Sequence, residues 1–304
     1  MNPIKILEKL KGAKYHEIAT TINSRFYGRI GADTSVDVMA EDWDSLVILD
    51  ACRYDMMVDL APSNWNVQSR RSPGSDSSEF IERSYVGREL HDVVYVTSNP
   101  HATNIPEGTF HAVEYLLDEF WDSDYQTVMP DTMVEQTLKS HQKYPNKRII
   151  SHWMQPHFPF ISDFGQKLRT TGIGEKSNKA EYSEAPHPWV ALMEGEDIES
   201  DDVVRAYIEN LREAMGPLRE LIDKMPGKTI VTADHANLTG ELTLPVPLRT
   251  YGHPSNFHKK ELVTIPWIEF ESDSRRDIRS DEPQTTADLS DDVVSDRLES
   301  LGYV

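Results

Sequence analysis

Leu46-Val47-Ile48-Leu49-Asp50 is the stretch on which the fold turns. Four successive aliphatic residues are too few for a helix and show no polar alternation. They read as a strand buried on both faces, as in the interior of a parallel sheet. Comparable apolar, β-branched runs follow at Val93–Thr97, Arg148–Trp153, Thr229–Thr232 and Leu262–Phe270. Helical stretches separate them. The clearest runs from Val203 to Lys224, with Val204, Ile208, Leu211, Met215, Leu218 and Ile222 on one face and Gly227 closing it. Strands alternating with helices predict an α/β chain, with a mostly parallel central sheet and helices on both faces.

Ligands of parallel α/β sheets bind outside the carboxyl ends of the strands. The residues at those ends here are polar and metal-competent. Asp50 follows the first run, and Ser98, Asn99 and His101 follow the second. Gln155, His157 and Pro159 follow the third, and Asp234-His235 the fourth. Each alone is weak, because Asp after a strand is more often a helix cap or an Asx-turn than a ligand. Four in a row at one sheet edge carry more weight. Asp234-His235 sets a hard carboxylate and an imidazole on one turn, a donor mix suited to zinc, manganese or calcium-type sites, and Asp50 can complete it.

Between the first two strands lies Ser72-Pro73-Gly74-Ser75-Asp76-Ser77-Ser78-Glu79-Phe80, a hydroxyl-rich turn entering a helix. As plain structure it is an N-cap with Ser75 in the capping role. As chemistry it is a serine at a helix N-terminus, where the backbone N–H groups favour an alkoxide and an anionic substrate. Spacing alone leaves both readings open.

The rest of the chain sets the frame. Its 304 residues carry 31 Lys and Arg against 51 Asp and Glu, a net charge of −20. That length suits one α/β domain spanning 1–304. Such acidity repels phosphate backbones and anionic lipid heads, which lowers the prior for nucleic-acid and membrane partners. It fits a cytoplasm at high salt, and an ordinary acidic enzyme as well. No apolar run is long enough to span a bilayer and no secretory signal is legible, so a cytoplasmic location is expected. The single cysteine, Cys52, excludes an internal disulfide. Residues 1–30 read as a basic helical extension, with Ile4, Leu7 and Leu10 capping the core in preference to anchoring at a surface. Residues 161–202 read as an insertion or lid. Residues 271–304 read as a polar linker followed by a helix that docks on the core.

Several of these stretches resemble one family. Leu49-Asp50-Ala51-Cys52-Arg53-Tyr54-Asp55 resembles the Asp-x-x-Arg-x-Asp motif after the first strand in the sulfatase-like branch of the alkaline phosphatase superfamily. Thr232-Ala233-Asp234-His235 is similar to its Thr-x-Asp-His metal motif. Gln155-Pro156-His157-Phe158-Pro159-Phe160 is similar to its Pro-His-x-Pro-aromatic segment. Tyr251-Gly252-His253 through Pro266-Trp267 resembles its late segment. The order and spacing hold over roughly residues 44 to 270.

The resemblance implies an alkaline phosphatase-like fold and a metal-dependent hydrolase of phosphate or sulfate esters, the ester possibly carried on a glycan. Asp50, Asp234 and His235 would ligate one or two divalent ions of Mn, Zn, Ca or Mg. Ser77, with Ser75 and Ser78 as rivals, would be the nucleophile. His157 would contact the transferred group, and Asn99, His101 and His258 the substrate. A second metal would recruit His258, His253 or Asp163. Arg53 would pair with a nearby acid. The chain lacks the Cys-x-Pro-x-Arg and Ser-x-Pro-x-Arg motifs of sulfatases that form formylglycine, and Asn99 stands where many have lysine. A direct serine nucleophile is therefore expected. The alternatives are a degenerate, non-catalytic glycan- or protein-binding member and a phospho-group transferase.

Overall fold

The structure is a computed structural model, and it describes residues 3–29, 35–171, 187–284 and 289–301. In chain order the elements are α1 (Pro3–Tyr27), β1 (Ser45–Leu49), α2 (Tyr54–Leu60), β2 (Gln68–Arg71), α3 (Ser77–Tyr85) and β3 (Leu90–Thr97). A short 3-10 helix (Pro100–Asn104) leads to β4 (Phe110–Tyr115), α4 (Pro130–Lys143), β5 (Arg148–Trp153), α5 (Asp163–Thr171) and α6 (Pro188–Glu194). Then come α7 (Ser200–Lys224), β6 (Thr229–Ala233), β7 (Leu238–Thr243), β8 (Leu248–Gly252), α8 (Lys260–Val263), β9 (Thr264–Phe270) and α9 (Asp291–Ser300).

Seven strands form one sheet in the order β2-β9-β6-β1-β5-β3-β4. The five from β6 to β4 are parallel, while β9 and β2 add an antiparallel flank. All five residues of β1 are buried. Val47 and Leu49 face a core shared with α2, α4 and α7 through Met57, Met133 and Leu211. Leu46 and Ile48 face a second core with Phe80, Ile81 and Tyr85 of α3. Each such fully buried aliphatic side chain contributes roughly 1.5–3 kcal/mol. The mostly parallel sheet with helices on both faces is the architecture expected from the strand pattern.

Two expectations change. Leu262–Phe270 is not one parallel strand: Leu262 and Val263 belong to α8, and β9 runs antiparallel to β6. A strand covered on both faces is apolar in either direction, so the pattern does not encode its sense. Ser75 is not the helix cap, because Asp76 holds that position and accepts from Glu79 N at 2.9 Å. The basic helix α1 presents an apolar outer face in its described turns, with Tyr15, Ile18, Ile22 and Phe26 exposed, and buries Ala19 and Asn23 instead. The side chains of Ile4, Leu7 and Leu10 lie outside the described residues. The linker expected at 271–288 is tied down over its described part, where Arg275 pairs with Asp42 and Asp44 and Lys147 with Asp281. Arg297 of α9 donates to Leu117 O at 2.9 Å and lies over the Trp121 ring, so the last helix does dock. Much of the expected insertion, 172–186, is outside the described residues, as are 285–288 and 302–304.

Candidate active site

Strand register brings the site together. Leu49 of β1 pairs with Ala233 of β6 on one side and Trp153 of β5 on the other. The next residues along, Asp50 and Asp234, therefore leave the sheet side by side. His157 follows β5 at the same edge, and its N–H donates to Asp50 O at 3.1 Å. Ala51 then turns the chain with φ of +59°, a left-handed conformation that costs a non-glycine residue roughly 1–2 kcal/mol. The turn is held from both ends. Ala51 N donates to Asp234 Oδ1 at 3.0 Å, and the Tyr207 hydroxyl donates to Ala51 O.

The fourth component arrives from the opposite side of the edge. Gly74 lets the 72–76 loop fold flat on the first turn of α3, because a Cβ there would stand 2.3 Å from Phe80 N. With Asp76 as cap, Ser77 is the first residue of α3. Its Oγ lies 2.6 Å from Asp234 Oδ2, 3.2 Å from Asp50 Oδ2 and 3.3 Å from His235 Nε2. All four side chains are buried. The rival Ser75 goes elsewhere. Ser75 Oγ donates to Glu79 Oε2 and accepts from Phe257 N, both at 3.0 Å, and so is structural.

Asp50, Asp234 and His235 each present one ligand atom, all within 4.8 Å of one another. His235 Nδ1 donates to Ala236 O at 2.9 Å, which leaves the Nε2 lone pair facing Ser77, Asp50 and Asp234. Orientation of one ring nitrogen by a carbonyl is how ligating histidines are usually set. Two carboxylates and an oriented imidazole, all buried, are a donor set that fits a divalent cation. Burial opposes charge on Asp234, but the His235 and His152 rings and the Ser77 hydroxyl hold its carboxyl well below the usual range.

Asn99 also joins, donating from Nδ2 to Asp50 Oδ2 at 2.7 Å, while its Oδ1 accepts from His101 N. His101 is close enough to feel Asp76, Asp234 and His235, and burial lowers its pKa. His258 is not brought to the cluster. Its Nε2 pairs with Glu79 Oε1 at 2.9 Å. Its expected place is taken by His253, whose ring centroid is 4.6 Å from that of His235. His253 Nε2 lies 2.9 Å from His157 Nε2. Because His157 Nδ1 already donates to Phe158 O, the proton between the two rings sits on His253. His187 packs on His157 at 5.6 Å. Burial pushes all three imidazoles well below their ordinary range, so they stand neutral.

Two contributors were not singled out from the sequence. His187 sits in an irregular stretch with no strand to frame it. His152 lies inside β5, and a titratable residue within an otherwise apolar strand was its only signal. The Tyr95 hydroxyl contacts His152 Nδ1 at 2.5 Å, which turns Nε2 toward Asp234 Oδ2 at 3.6 Å. Arg53 is structural as expected, clamping Asp55, Glu241 and Asn237 O. Cys52 is buried two residues beyond Asp50, and burial pushes its thiol far up, so it is an inert core residue. Beside His187 and His253 opens a cleft of about 880 Å³ between α1, α6 and β8, lined by Thr20, Arg25, Trp189 and Tyr251 among others. The Trp189 and Tyr251 rings lie nearly parallel, 13° apart.

No protein-family model matches the chain, and no curated protein does. Solved structures that resemble it include the integral membrane lipooligosaccharide phosphoethanolamine transferase EptA of Neisseria meningitidis, at 11% identity and a TM-score of 0.46. That match covers 80% of this chain and 50% of the other, so the chain spans about half of EptA's length. The periplasmic domain of EptC from Escherichia coli, in complex with Zn, matches at 13% identity and a TM-score of 0.45, over 78% of this chain and 75% of that one. A protein of the alkaline phosphatase superfamily from Vibrio parahaemolyticus matches at 11% and 0.43, over 93% and 75%.

Proposed function

We propose that the chain is a metal-dependent hydrolase of phosphate or sulfate esters, of alkaline phosphatase-superfamily type, with Ser77 as its nucleophile. One observation carries this reading: Ser77 Oγ meets Asp50, Asp234 and His235 at hydrogen-bond distance, from three separate segments of chain. Asp50, Asp234 and His235 would hold a Mn, Zn, Ca or Mg ion, which as a Lewis acid would favour the serine alkoxide and offset the charge of an anionic ester.

The chain's own residues supply the rest. Asp234 Oδ2 accepts the Ser77 hydroxyl at 2.6 Å and fixes where its oxygen lies. The first turn of α3 directs its N–H dipoles toward the oxygen that attacks. A bond then forms from Ser77 Oγ to phosphorus or sulfur as the bond to the ester oxygen breaks in line, and that oxygen takes up a proton. A water cleaves the resulting seryl ester and restores the hydroxyl. His101 would donate to the equatorial oxygens, the His157–His253 pair, whose ring protons are already engaged, would wall the site beside them, and Asn99 keeps Asp50 in register. The cleft beside His253 would take the organic part of the ester, against Trp189 and Tyr251. A cytoplasmic location belongs to this reading and is supported by the use of a single, buried cysteine. The test is turnover of aryl phosphate, phosphodiester and aryl sulfate substrates with each divalent metal in turn. Full activity after Ser77→Ala, or no turnover of any of them with any metal, contradicts it.

A further inference from the structure

The chain as a whole is strongly acidic, yet one side of it is apolar and basic. Eight large apolar side chains stand exposed among the described residues, and six of them belong to α1 and the β7–β8 hairpin. Tyr15, Ile18, Ile22 and Phe26 recur at intervals of three and four, so they line one face of α1. Their exposures run from 40% to 60%. The face that flanks this stripe, through Ala19 and Asn23, is buried.

The hairpin is fastened to this helix. Asn23 Nδ2 donates to Thr243 Oγ1 at 3.0 Å and to Val246 O at 2.9 Å, and the Tyr15 hydroxyl donates to Pro247 O. Leu242 and Leu244 stand exposed on that hairpin. Leu242 pairs across the ladder with Arg249, so an exposed arginine shares its face. On the helix side, Arg25 and Arg29 are exposed as well. The α1 sequence carries Lys5, Lys9, Lys11, Lys14 and Arg25 against Glu8 and Glu17 alone, a local excess of positive charge in a chain of net −20.

An apolar stripe with basic residues around it on a surface helix is the pattern that binds the interface of an anionic bilayer. The apolar side chains enter the headgroup boundary and the cations meet the lipid charge. A monomer gains nothing from holding isoleucines and a phenylalanine in water, so exposure concentrated on one side marks a contact surface. We propose that α1 and the β7–β8 hairpin form a docking surface for an anionic lipid bilayer. This inference does not rest on the proposed chemistry.

Flotation of the full chain with vesicles tests it. The probes are phosphatidylcholine vesicles with and without phosphatidylglycerol, at low and high salt. The chain is expected to float with the anionic vesicles, to float poorly with phosphatidylcholine alone, and to lose binding at high salt as the Debye length shortens. Ile18→Glu with Ile22→Glu is expected to reduce partitioning at least about tenfold. Circular dichroism and the melting temperature should be unchanged, because both positions are exposed. Arg25→Glu with Arg29→Glu is expected to remove the preference for anionic lipid. Three results would overturn the proposal. One is a wild-type chain that stays with the soluble fraction under all conditions. Another is a double isoleucine variant that floats like wild type. The third is light scattering that finds a wild-type dimer which the isoleucine variant splits, because the stripe would then be a surface for a second copy of the chain.

Discussion

Ser77 Oγ lies 2.6 Å from Asp234 Oδ2, across 157 residues of chain. The contact ties the N-terminus of α3 to the carboxyl end of β6, a helix to a strand of the sheet. Around it stand a second carboxylate and an imidazole whose lone pair points inward. Two buried carboxylates sharing one hydroxyl are a costly arrangement unless a cation joins them.

Divalent metal should therefore stabilise the folded chain. At a metal concentration a hundred times the Kd, binding adds about 2.7 kcal/mol. Calorimetry in chelator and then in Mn or Zn should show the melting temperature rise by several degrees. Asp234→Asn and His235→Ala should each abolish the rise.

His152 should act through Asp234. Its Nε2 faces that carboxylate at 3.6 Å while Tyr95 fixes the ring from behind. Outer-shell partners of this kind are worth about 10–100-fold in metal affinity. Titration calorimetry on His152→Phe should show a loss in that range, with Tyr95→Phe losing less.

Gly74 should be intolerant of any side chain. A Cβ there meets the backbone nitrogen of Phe80 at 2.3 Å, and backbone cannot move aside as a side-chain tip can. Gly74→Ala should destabilise by roughly 1–3 kcal/mol. It should also lower kcat while Ser77 is chemically intact, because the first turn of α3 must shift. Denaturant unfolding and steady-state kinetics on one preparation separate the two effects.

Acid should weaken the fold before its carboxylates titrate. Burial, helped by the Arg276 charge, pushes His141 down to about 4, and burial lowers His187 as well. Above pH 6.5 neither the folded nor the unfolded state protonates these rings. Below it the unfolded chain takes up protons that the folded chain refuses, so stability falls from about pH 6.5 down toward pH 4. Urea midpoints measured across that window in chelator should decline, and His141→Gln should flatten part of the decline.

What could be read in advance follows from where each residue sits. Asp50 and Asp234-His235 were legible because each directly follows a run buried on both faces, which marks a strand end, and His157 because it lies in the loop that leaves such a run at Trp153. The serine was legible only as a group of rivals. Asp76 rather than Ser75 caps α3, and that one-residue offset decides which hydroxyl faces the carboxylates. His152 was hidden inside a strand that otherwise reads as plain core. His253 and His187 come from segments with no periodicity, so only three-dimensional folding brings them against His157. The half-exposed strands β2, β4, β7 and β8 lack the uniform burial that marks β1, and they left no comparable run. The exposed stripe of α1 has the same spacing as a core stripe. Periodicity identifies a face but not what covers it.

On the proposed chemistry, Ser77 attacks the ester. Rapid acid quench of the metal-loaded chain with an aryl phosphate, followed by peptide mass spectrometry, tests it most directly. The predicted result is a phosphoryl group on Ser77 in the quenched wild type. In Ser77→Ala that label should be absent and turnover should fall about a thousandfold or more. A label on Ser75 or Ser78, or turnover with no labelled serine and none lost in Ser77→Ala, would contradict it.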